Sequence, residues 1–323
     1  MIITRTPLRI TFVGGGTDLP DFYSKHGGSV VSAAINKYIY IIVNKKFDSK
    51  IRVSYSKTEI VDSVDEIRHP TVREALKLLD LDGGIEILSI SDVPSQGTGL
   101  GSSSSFLVGL LNALHAYRSE YVSNETLAKE AVKIEREILK EAGGKQDQYM
   151  AAYGGIDLLQ FLQNGEVRVN PIPLKTERLQ YLKENTILLY TGVERSSTEI
   201  HTDQISRIEE HTEEYLEMKK LAEEFAVKLY SSSIEELGDI MDRNWVLKKR
   251  LSSKISNDVI DRLYSRARDL GAYGGKLIGA GGGGFLLFFI DREKRDRLKE
   301  LGLRQIDYDF DFEGSRIIYY QDR

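Results

Sequence analysis

The sequence predicts an α+β protein of two domains, in which strands dominate the first part of the chain and helices the second. Its 323 residues are enough for two domains with separate cores. Apolar runs of strand length are concentrated before a polar stretch at 176–185, and long segments of helical periodicity follow it. We therefore expect an N-terminal mixed α/β domain at 1–178 and a helix-rich C-terminal α+β domain at 179–323.

The first domain is expected to combine strands with two helices. Apolar runs predict strands at 8–13, 29–35, 38–44, 51–55, 85–90, 155–161 and 167–171. One helix begins within the serine run at 102–105. Ser123 caps the other, which carries apolar residues at helical spacing until Gly143 and Gly144 end it.

The second domain opens with a predicted strand at 186–190 and continues as helices. Helical periodicity predicts three of them, at 198–231, 234–249 and 258–270. Predicted strands at 285–290 and 316–320 close the chain. A second domain of this kind is typical of an α+β protein.

The composition excludes several classes of protein. The formal net charge is −5, which argues against a general nucleic-acid surface. No apolar run approaches the roughly 20 residues of a membrane span, and the N-terminus does not have the pattern of a signal peptide. The chain has no cysteine, which rules out disulfides and thiolate chemistry and agrees with an oxidant-poor compartment. We expect a cytoplasmic protein without nucleic-acid or membrane partners; the sequence leaves a homodimer open.

The segment PSQGTGLGSSSS at 94–105 is the most informative part of the chain. Three glycines at alternate positions run into four serines, and an apolar helical pattern follows at once. Glycines let the backbone approach an anion, and a helix start adds unpaired N–H groups and the positive end of its dipole. This combination predicts a phosphate site, in which serine hydroxyls can bind phosphate oxygens or Mg²⁺. The alternative is a simple glycine-rich turn before a helix, and no Walker A sequence is present.

Two further glycine clusters flank other strands. Gly279 and the four glycines at 281–284 precede an apolar strand, and they are more than a hairpin turn needs. We expect close backbone approach to a ligand or to another loop there. Near the N-terminus, the glycines at 14–16 are followed by Thr17 and Asp18. A carboxylate on such a turn suits sugar hydroxyls; the alternative is an Asp that caps a short helix.

The three clusters, in this order and spacing, resemble the motifs of the galactokinase–homoserine kinase–mevalonate kinase–phosphomevalonate kinase (GHMP) family. The matching segments are PLRITFVGGGTD, PSQGTGLGSSSS and KLIGAGGGG, and the resemblance covers nearly the whole chain. It implies the two-domain GHMP kinase fold with the active site in the cleft between the domains. It also implies ATP and Mg²⁺ as cofactors, with ATP bound along Pro94, Gly97, Thr98, Gly99, Leu100, Gly101, Ser102, Ser103 and Ser104.

Within the family, the chain looks most like the kinases that phosphorylate D-glycero-D-manno-heptose 7-phosphate. The supporting segments are GGGTDLP, HGGSVVSAAINKYIYI and NWVLKKRLSSKIS. The Glu-His-Thr-Asp of galactokinases is replaced by Gly-Gly-Thr-Asp at 15–18, which argues against galactose as the substrate.

The resemblance also implies catalytic residues. The family's catalytic Asp lies in a Gly-x-x-Asp loop, which matches Gly144 to Asp147 here. Asp147 could either deprotonate or orient the acceptor hydroxyl; otherwise it is an Asx-turn or cap residue. Arg9 matches the arginine of the family's first motif and would lower the pKa of a neighbouring carboxylate and hold its geometry. Its alternative is a surface charge on an edge strand.

For the metal, the resemblance points to Ser103 and Glu135. One carboxylate, one hydroxyl and phosphate oxygens are sufficient for Mg²⁺, which retains several waters. Glu137 is a rival, because the helix phase cannot be set that finely from the sequence. Both glutamates could also lie on a solvated helix face.

The sugar pocket is expected to involve Asp18 and Thr17. Lys37, Lys145 and Arg195 are candidates for binding a substrate phosphate; the alternative for each is a solvated surface group, which is the more common role of such a side chain. The other expected substrate-binding residues are His26, Gly27, Gly281 and Gly282.

Together these features predict an ATP- and Mg²⁺-dependent sugar kinase that converts heptose 7-phosphate into the 1,7-bisphosphate at the anomeric hydroxyl. The alternatives are a kinase for fucose or a hexose, a diphosphate decarboxylase of the same superfamily, and a non-catalytic sugar and ATP sensor.

Overall fold

Two β-sheets organise the chain, whose computed structural model describes residues 1–94, 97–193 and 197–321, with the side chain of Ser197 excepted. The larger sheet has eight strands in the order β12-β1-β2-β5-β3-β4, and β6 and β7 extend it from β2. Its strands are β1 (Ile2–Val13), β2 (Gly28–Lys45), β3 (Ile51–Ser54), β4 (Thr58–Val61), β5 (Ile85–Ser91), β6 (Ile156–Phe161), β7 (Val167–Pro171) and β12 (Arg316–Tyr320). All neighbouring strands are antiparallel except β3 and β5.

Strand β2 is one continuous strand where the sequence predicts two. Its first half pairs with β6 and its second half with β5, and β1 pairs with both halves. Opposite the step from Pro7 to Leu8 the register jumps from Tyr38 to Ile35, so the polar pair Asn36-Lys37 forms a bulge. The bulge explains why the pattern looks interrupted while the strand continues.

The smaller sheet is antiparallel and has the order β11-β8-β10-β9. Its strands are β8 (Thr186–Tyr190), β9 (Gly274–Leu277), β10 (Phe285–Phe289) and β11 (Arg304–Ile306). The last strand of the chain, β12, does not join it but pairs with β1 of the larger sheet. The two sheets therefore do not separate completely at residue 178.

Ten α-helices lie within the described ranges. They are α1 (Pro20–His26), α2 (Pro70–Leu78), α3 (Ser102–Tyr117), α4 (Asn124–Val132), α5 (Gln146–Tyr153), α6 (Thr176–Glu184), α7 (Ser197–Ser206), α8 (Thr212–Lys228), α9 (Ile234–Arg250) and α10 (Asp258–Asp269). Ser123 caps α4 as predicted, and a π-helical turn at Lys133–Ile138 continues that helix. None of the helices in the described part of the chain is long and apolar enough to span a membrane.

Several helices differ from the sequence-based prediction. The segment predicted as one helix at 198–231 is two helices, because the chain turns between α7 and α8 and buries Ile208 in the turn. Both α1 and α2 begin with a proline at the first helical position, a start signal that the prediction did not use. Helix α5 was predicted as a loop; it is only eight residues long, and most of it is buried, so it lacks an amphipathic pattern.

The two apolar cores meet where the predicted motifs lie. The larger core fills the space between the large sheet, α3, α4 and α5, and it extends to α8 and α9. The smaller core surrounds Trp245, which is 1% exposed, and contains residues of α7, α9, α10 and β10. Glycine clusters from both parts of the chain converge between these cores.

Candidate active site

The glycine-rich loop at 97–101 has the backbone conformation that its sequence predicts. Gly97, Gly99 and Gly101 have φ of +68°, +75° and +78°, a region that favours glycine. Gly101 is the N-cap of α3, so the loop leads directly into the first turn of that helix. The carbonyl of Leu100 accepts a hydrogen bond from the Arg9 N–H at 3.0 Å, which ties the loop to β1.

A cavity of about 570 Å³ opens above this loop and the first turn of α3. The opposite wall consists of the third glycine cluster and α7. Of the residues predicted from the sequence, the following line it: Arg9, Gly97, Thr98, Gly99, Gly101, Ser102, Ser103, Ser104, Glu135, Asp147 and Gly281. The size and lining of the cavity therefore suit a nucleoside triphosphate whose phosphates lie at a helix N-terminus.

The third glycine cluster packs against the first loop. A Cβ on Gly279 would lie 2.6 Å from the Gly99 Cα, and one on Gly99 would overlap the Ile278 carbonyl. A Cβ on Gly284 would overlap the Thr98 carbonyl. Of the two expectations for these glycines, approach to another loop is thus observed directly, and Gly279 and Gly281 also face the cavity.

Arg9 and Asp147 form a two-pronged ion pair at the inner end of the cavity. The Arg9 Nε donates to Asp147 Oδ1 and its second terminal nitrogen to Oδ2, both at 2.8 Å. A third donor of the guanidinium bonds to the Gly99 carbonyl. Arg9 is 5% exposed; β2 pairs with it on one side and the Leu100 carbonyl bonds to its backbone N–H on the other, so it is not a surface charge on a free strand edge. Asp147 lies in the first turn of α5 and not in a loop.

Glu135 is buried beside the serines of α3. Its carboxylate accepts from the Ser104 hydroxyl at 3.0 Å and from the Ser103 hydroxyl at 3.4 Å. The Gln148 amide also donates to it, and Arg136 lies 3.5 Å away. Burial raises the pKa of this carboxyl above its ordinary value. Glu137, the rival from the sequence, is exposed.

The π-helical turn explains why the sequence could not distinguish these glutamates. A π-turn adds a residue to the helical repeat and rotates the side chains that follow. Ser103, Ser104 and Glu135 present only oxygen ligands on one wall of the cavity, and the buried Glu135 carboxylate, whose nearest cation is Arg136 at 3.5 Å, can also bind a metal cation. This donor set fits Mg²⁺ bound together with phosphate oxygens.

A second, smaller pocket lies on the other side of Asp147. Its volume is about 40 Å³, and Arg9, Asp18, Asp147, Lys248 and Lys276 are among its lining residues. Asp18 is 2% exposed; its Oδ1 accepts from the Gly16 N–H at 2.9 Å and its Oδ2 from the Gln146 N–H at 3.2 Å. Asp18 is therefore not the cap of α1, whose N-cap is Leu19.

Other residues predicted to bind the substrate form hydrogen bonds within the protein. The Thr17 hydroxyl donates to the Ser29 carbonyl at 2.9 Å and accepts from the Ser29 N–H at 3.1 Å. Gly282 donates its N–H to the Ile255 carbonyl, 2.8 Å away, and its own carbonyl accepts from the Asn257 amide. Neither residue lines the two cavities, and neither does Pro94, which is exposed.

The described residues that the sequence predicts to bind the substrate phosphate do not line either cavity. The Lys145 ammonium donates to the Gly165 carbonyl at 3.1 Å and lies over the Tyr23 ring. Lys37 is in the bulge of β2. His26 packs on Phe22 at the end of α1, next to Gly27, and neither His26 nor Gly27 lines either cavity. Arg195 lies outside the described residues.

Several site residues were not singled out from the sequence. Lys276 begins the third glycine motif, Lys248 lies one helical turn after Trp245, and His201 lies on α7; all three line the small pocket, as does Arg136. Burial, with Lys248 and Arg136 nearby, lowers the pKa of His201 to about 3. The helical spacing of Lys248 from the buried Trp245 was a usable signal; for His201 there was none.

Sequence profiles of both domains of one family match this chain. The profile of the GHMP kinases N terminal domain matches residues 69–155, and that of the GHMP kinases C terminal matches residues 204–300. The chain belongs to the GHMP kinase family. It is a sugar kinase and, like the members of this family, it uses ATP.

Full-length relatives of this GHMP kinase include enzymes with several sugar substrates. It is 34% identical to a D-glycero-alpha-D-manno-heptose 7-phosphate kinase of Campylobacter jejuni, with 98% of each chain covered. It is 25% identical to a galactokinase of Pyrococcus furiosus, in an alignment that covers 94% of this chain and 93% of the relative.

Solved structures have the same fold. A D-glycero-D-manno-heptose 1-phosphate kinase from Bacteroides thetaiotaomicron superposes with a TM-score of 0.84 over 100% of both chains, at 23% identity. A sugar kinase structure from Campylobacter jejuni gives a TM-score of 0.74 at 31% identity, over 98% of this chain and 97% of the other.

Proposed function

We propose that this kinase phosphorylates D-glycero-D-manno-heptose 7-phosphate at its anomeric hydroxyl and produces the 1,7-bisphosphate. The observation that carries the proposal is the small pocket beside Asp147, in which four cationic side chains accompany two carboxylates. Such a pocket suits an acceptor that is itself an anion. The similarity to a heptose 7-phosphate kinase over nearly the whole chain supports the same substrate.

The reaction is phosphoryl transfer, which depends on positioning and charge neutralisation more than on covalent chemistry. The triphosphate would bind along the glycine loop and the start of α3. Ser103 and Glu135 would hold Mg²⁺, which neutralises phosphate charge when bound. The γ-phosphoryl group would then face Asp147, which lines both cavities.

Asp147 would accept a hydrogen bond from the anomeric hydroxyl and orient it toward the γ-phosphorus. Both carboxylate oxygens already accept hydrogen bonds from Arg9, which holds the carboxylate in a fixed orientation and suits it to orient the acceptor hydroxyl. The hydroxyl oxygen forms the new bond to phosphorus as the bond to ADP breaks. The hydroxyl proton then passes to Asp147 or to a phosphate oxygen of the departing ADP.

Gly144 is expected to be essential for the acceptor side of the site. A Cβ on Gly144 would overlap the Asp18 carboxylate, which forms one wall of the small pocket. We expect Gly144→Ala to displace Asp18 and to raise KM for the sugar phosphate at least about tenfold, since overpacking costs about 1–3 kcal/mol. KM for ATP should change little. Steady-state kinetics with each substrate varied in turn would check this; an unchanged KM for the sugar phosphate would contradict it.

An ADP-release screen across phosphorylated and free sugars tests the proposed substrate. Heptose 7-phosphate, free heptose, mannose 6-phosphate, L-fucose and galactose would be compared at equal concentration, and phosphorus NMR would locate the transferred group. We expect the highest kcat/KM with heptose 7-phosphate and a new resonance from an anomeric phosphate. A higher kcat/KM with a free sugar would reject the assignment and leave a sugar kinase of another specificity.

A further inference from the structure

The side chain of Lys276 is buried, and its ammonium group reaches the small pocket without a hydrogen-bonded partner in the described part of the chain. Lys276 lies on β9, is 2% exposed, and reaches the small pocket. Within the ranges that the structure describes, its Nζ has no hydrogen-bond acceptor and no ion-pair partner. An ammonium offers three donors, and burying it unpaired is unfavourable unless a ligand supplies the acceptors.

A second buried lysine adds to this charge. Lys248, on α9, is 3% exposed, and its Nζ donates to the Gly15 carbonyl at 2.9 Å and to Gln204 Oε1 at 3.3 Å. Both acceptors are uncharged. Burial lowers the pKa of Lys248 to about 8; burial, and then the charge of Lys248, lower that of Lys276 to about 7.

The carboxylates of the pocket do not balance these lysines. Both carboxylate oxygens of Asp147 accept hydrogen bonds from the Arg9 guanidinium. Asp18 is the group that favours the charged form of both lysines, and its oxygens already accept two backbone N–H groups. The pocket is therefore short of negative charge when no ligand is bound.

The two lysines lie on the acceptor side of Asp147. Arg9, Arg136 and Asp147 line both cavities, whereas Lys248 and Lys276 line only the small one, away from the serines of α3. The small pocket has a volume of about 40 Å³, room for about three water molecules at roughly 10–15 Å³ each. That space suits a compact group such as the phosphate of the acceptor.

We propose that Lys276, with Lys248 beside it, binds the phosphate group that the acceptor already carries and thereby selects phosphorylated sugars. This inference rests on the proposed function and assigns the recognition to residues of β9 and α9 in place of Lys37 and Lys145. A charge-assisted hydrogen bond to a phosphate oxygen contributes about ten- to hundredfold in affinity.

Calorimetric titration of Lys276→Met with heptose 7-phosphate and with free heptose tests the proposal. The wild type should bind the phosphorylated sugar at least about tenfold more tightly than the free sugar. In Lys276→Met the affinity for heptose 7-phosphate should fall about ten- to hundredfold, while that for free heptose stays nearly constant. Lys276→Arg, which retains the charge, should keep part of the preference.

Lys249→Met is the matched control. It also removes a lysine charge, at the position of α9 next to Lys248, but the Lys249 ammonium pairs with Asp261 at the surface. It should leave both affinities unchanged. Binding of a non-hydrolysable ATP analogue should be the same in all variants, and a melting temperature would verify folding. If Lys276→Met unfolds, Lys248→Met and Lys276→Arg provide the comparison, and loss of the preference is expected in the first of them.

The outcomes separate the two proposals. If the wild type prefers heptose 7-phosphate and Lys276→Met keeps the full preference, the assignment of Lys276 is wrong and the proposed function stands. If Lys276→Met lowers the affinity for the ATP analogue and leaves that for the sugar phosphate unchanged, the lysine binds the transferred phosphoryl group. The assignment is then again wrong. If the wild type binds both sugars equally, the heptose 7-phosphate substrate and this inference fail together.

Discussion

Replacing Asp147 by Asn is expected to lower kcat by about 10²–10⁴-fold while nucleotide binding is retained. The carboxylate lies at the junction of the two cavities, where an acceptor hydroxyl and the γ-phosphoryl group would meet. Asn keeps the shape of the side chain but removes the charge that orients the hydroxyl proton. It also leaves the buried Arg9 guanidinium with a neutral partner, which weakens a charge-assisted pair.

Single-turnover kinetics and titration with a non-hydrolysable ATP analogue would measure the two effects separately. Asp21→Asn is a matched control, because Asp21 also lies in the first turn of a short helix but is exposed. It removes the same interaction with a helix N-terminus and should leave kcat unchanged. A near-normal kcat for Asp147→Asn would show that another group positions the acceptor.

Replacing Glu135 by Gln should produce the second large effect, on the dependence of activity on Mg²⁺. Glu135 is 1% exposed and contacts the hydroxyls of Ser103 and Ser104. Even residues that only support a metal ligand typically contribute 10–100-fold to metal affinity, so losing this carboxylate should raise the Mg²⁺ concentration for half-maximal activity by at least about that factor. Ser103→Ala should act in the same direction and more weakly.

Glu137→Gln is the control for Glu135→Gln, since it makes the same change two residues away on an exposed position. Mg²⁺ titrations of activity, and of ADP binding followed by calorimetry, would compare the variants. We expect Glu137→Gln to match the wild type. Equal Mg²⁺ dependence in Glu135→Gln and the wild type would remove Glu135 from the proposed metal site.

The ion pair between Arg9 and Asp147 illustrates what a sequence pattern predicts and what it leaves open. The motifs identified both residues, because each lies in a short segment that resembles a family motif. Whether Asp147 acts as a base or as an orienting group depends on what touches its oxygens. Those contacts join residues separated by 138 positions, so only the tertiary structure could supply them.

The lysines show the opposite case. Lys37 and Lys145 lie close in sequence to acceptor-side motifs, yet one is in a strand bulge and the other bonds to the Gly165 carbonyl. Lys248 and Lys276 come from α9 and β9, more than 90 residues later, and reach the pocket through the packing of the second sheet on the first. A lysine in a sequence is the same whether its ammonium is solvated or buried, so proximity along the chain was a poor guide to the pocket.

The sequence by itself determined the family, the α+β class, most strand and helix positions, and the phosphate loop. These follow from short-range physics: hydrophobic periodicity selects strands and helices, Ser123 caps α4, and only glycine readily adopts the positive φ of the loop before α3. The tertiary structure decided which glutamate, which lysines and which glycine contacts belong to the site. Those depend on a π-turn, on packing between sheets and on burial, which join residues far apart in the chain and leave no local pattern.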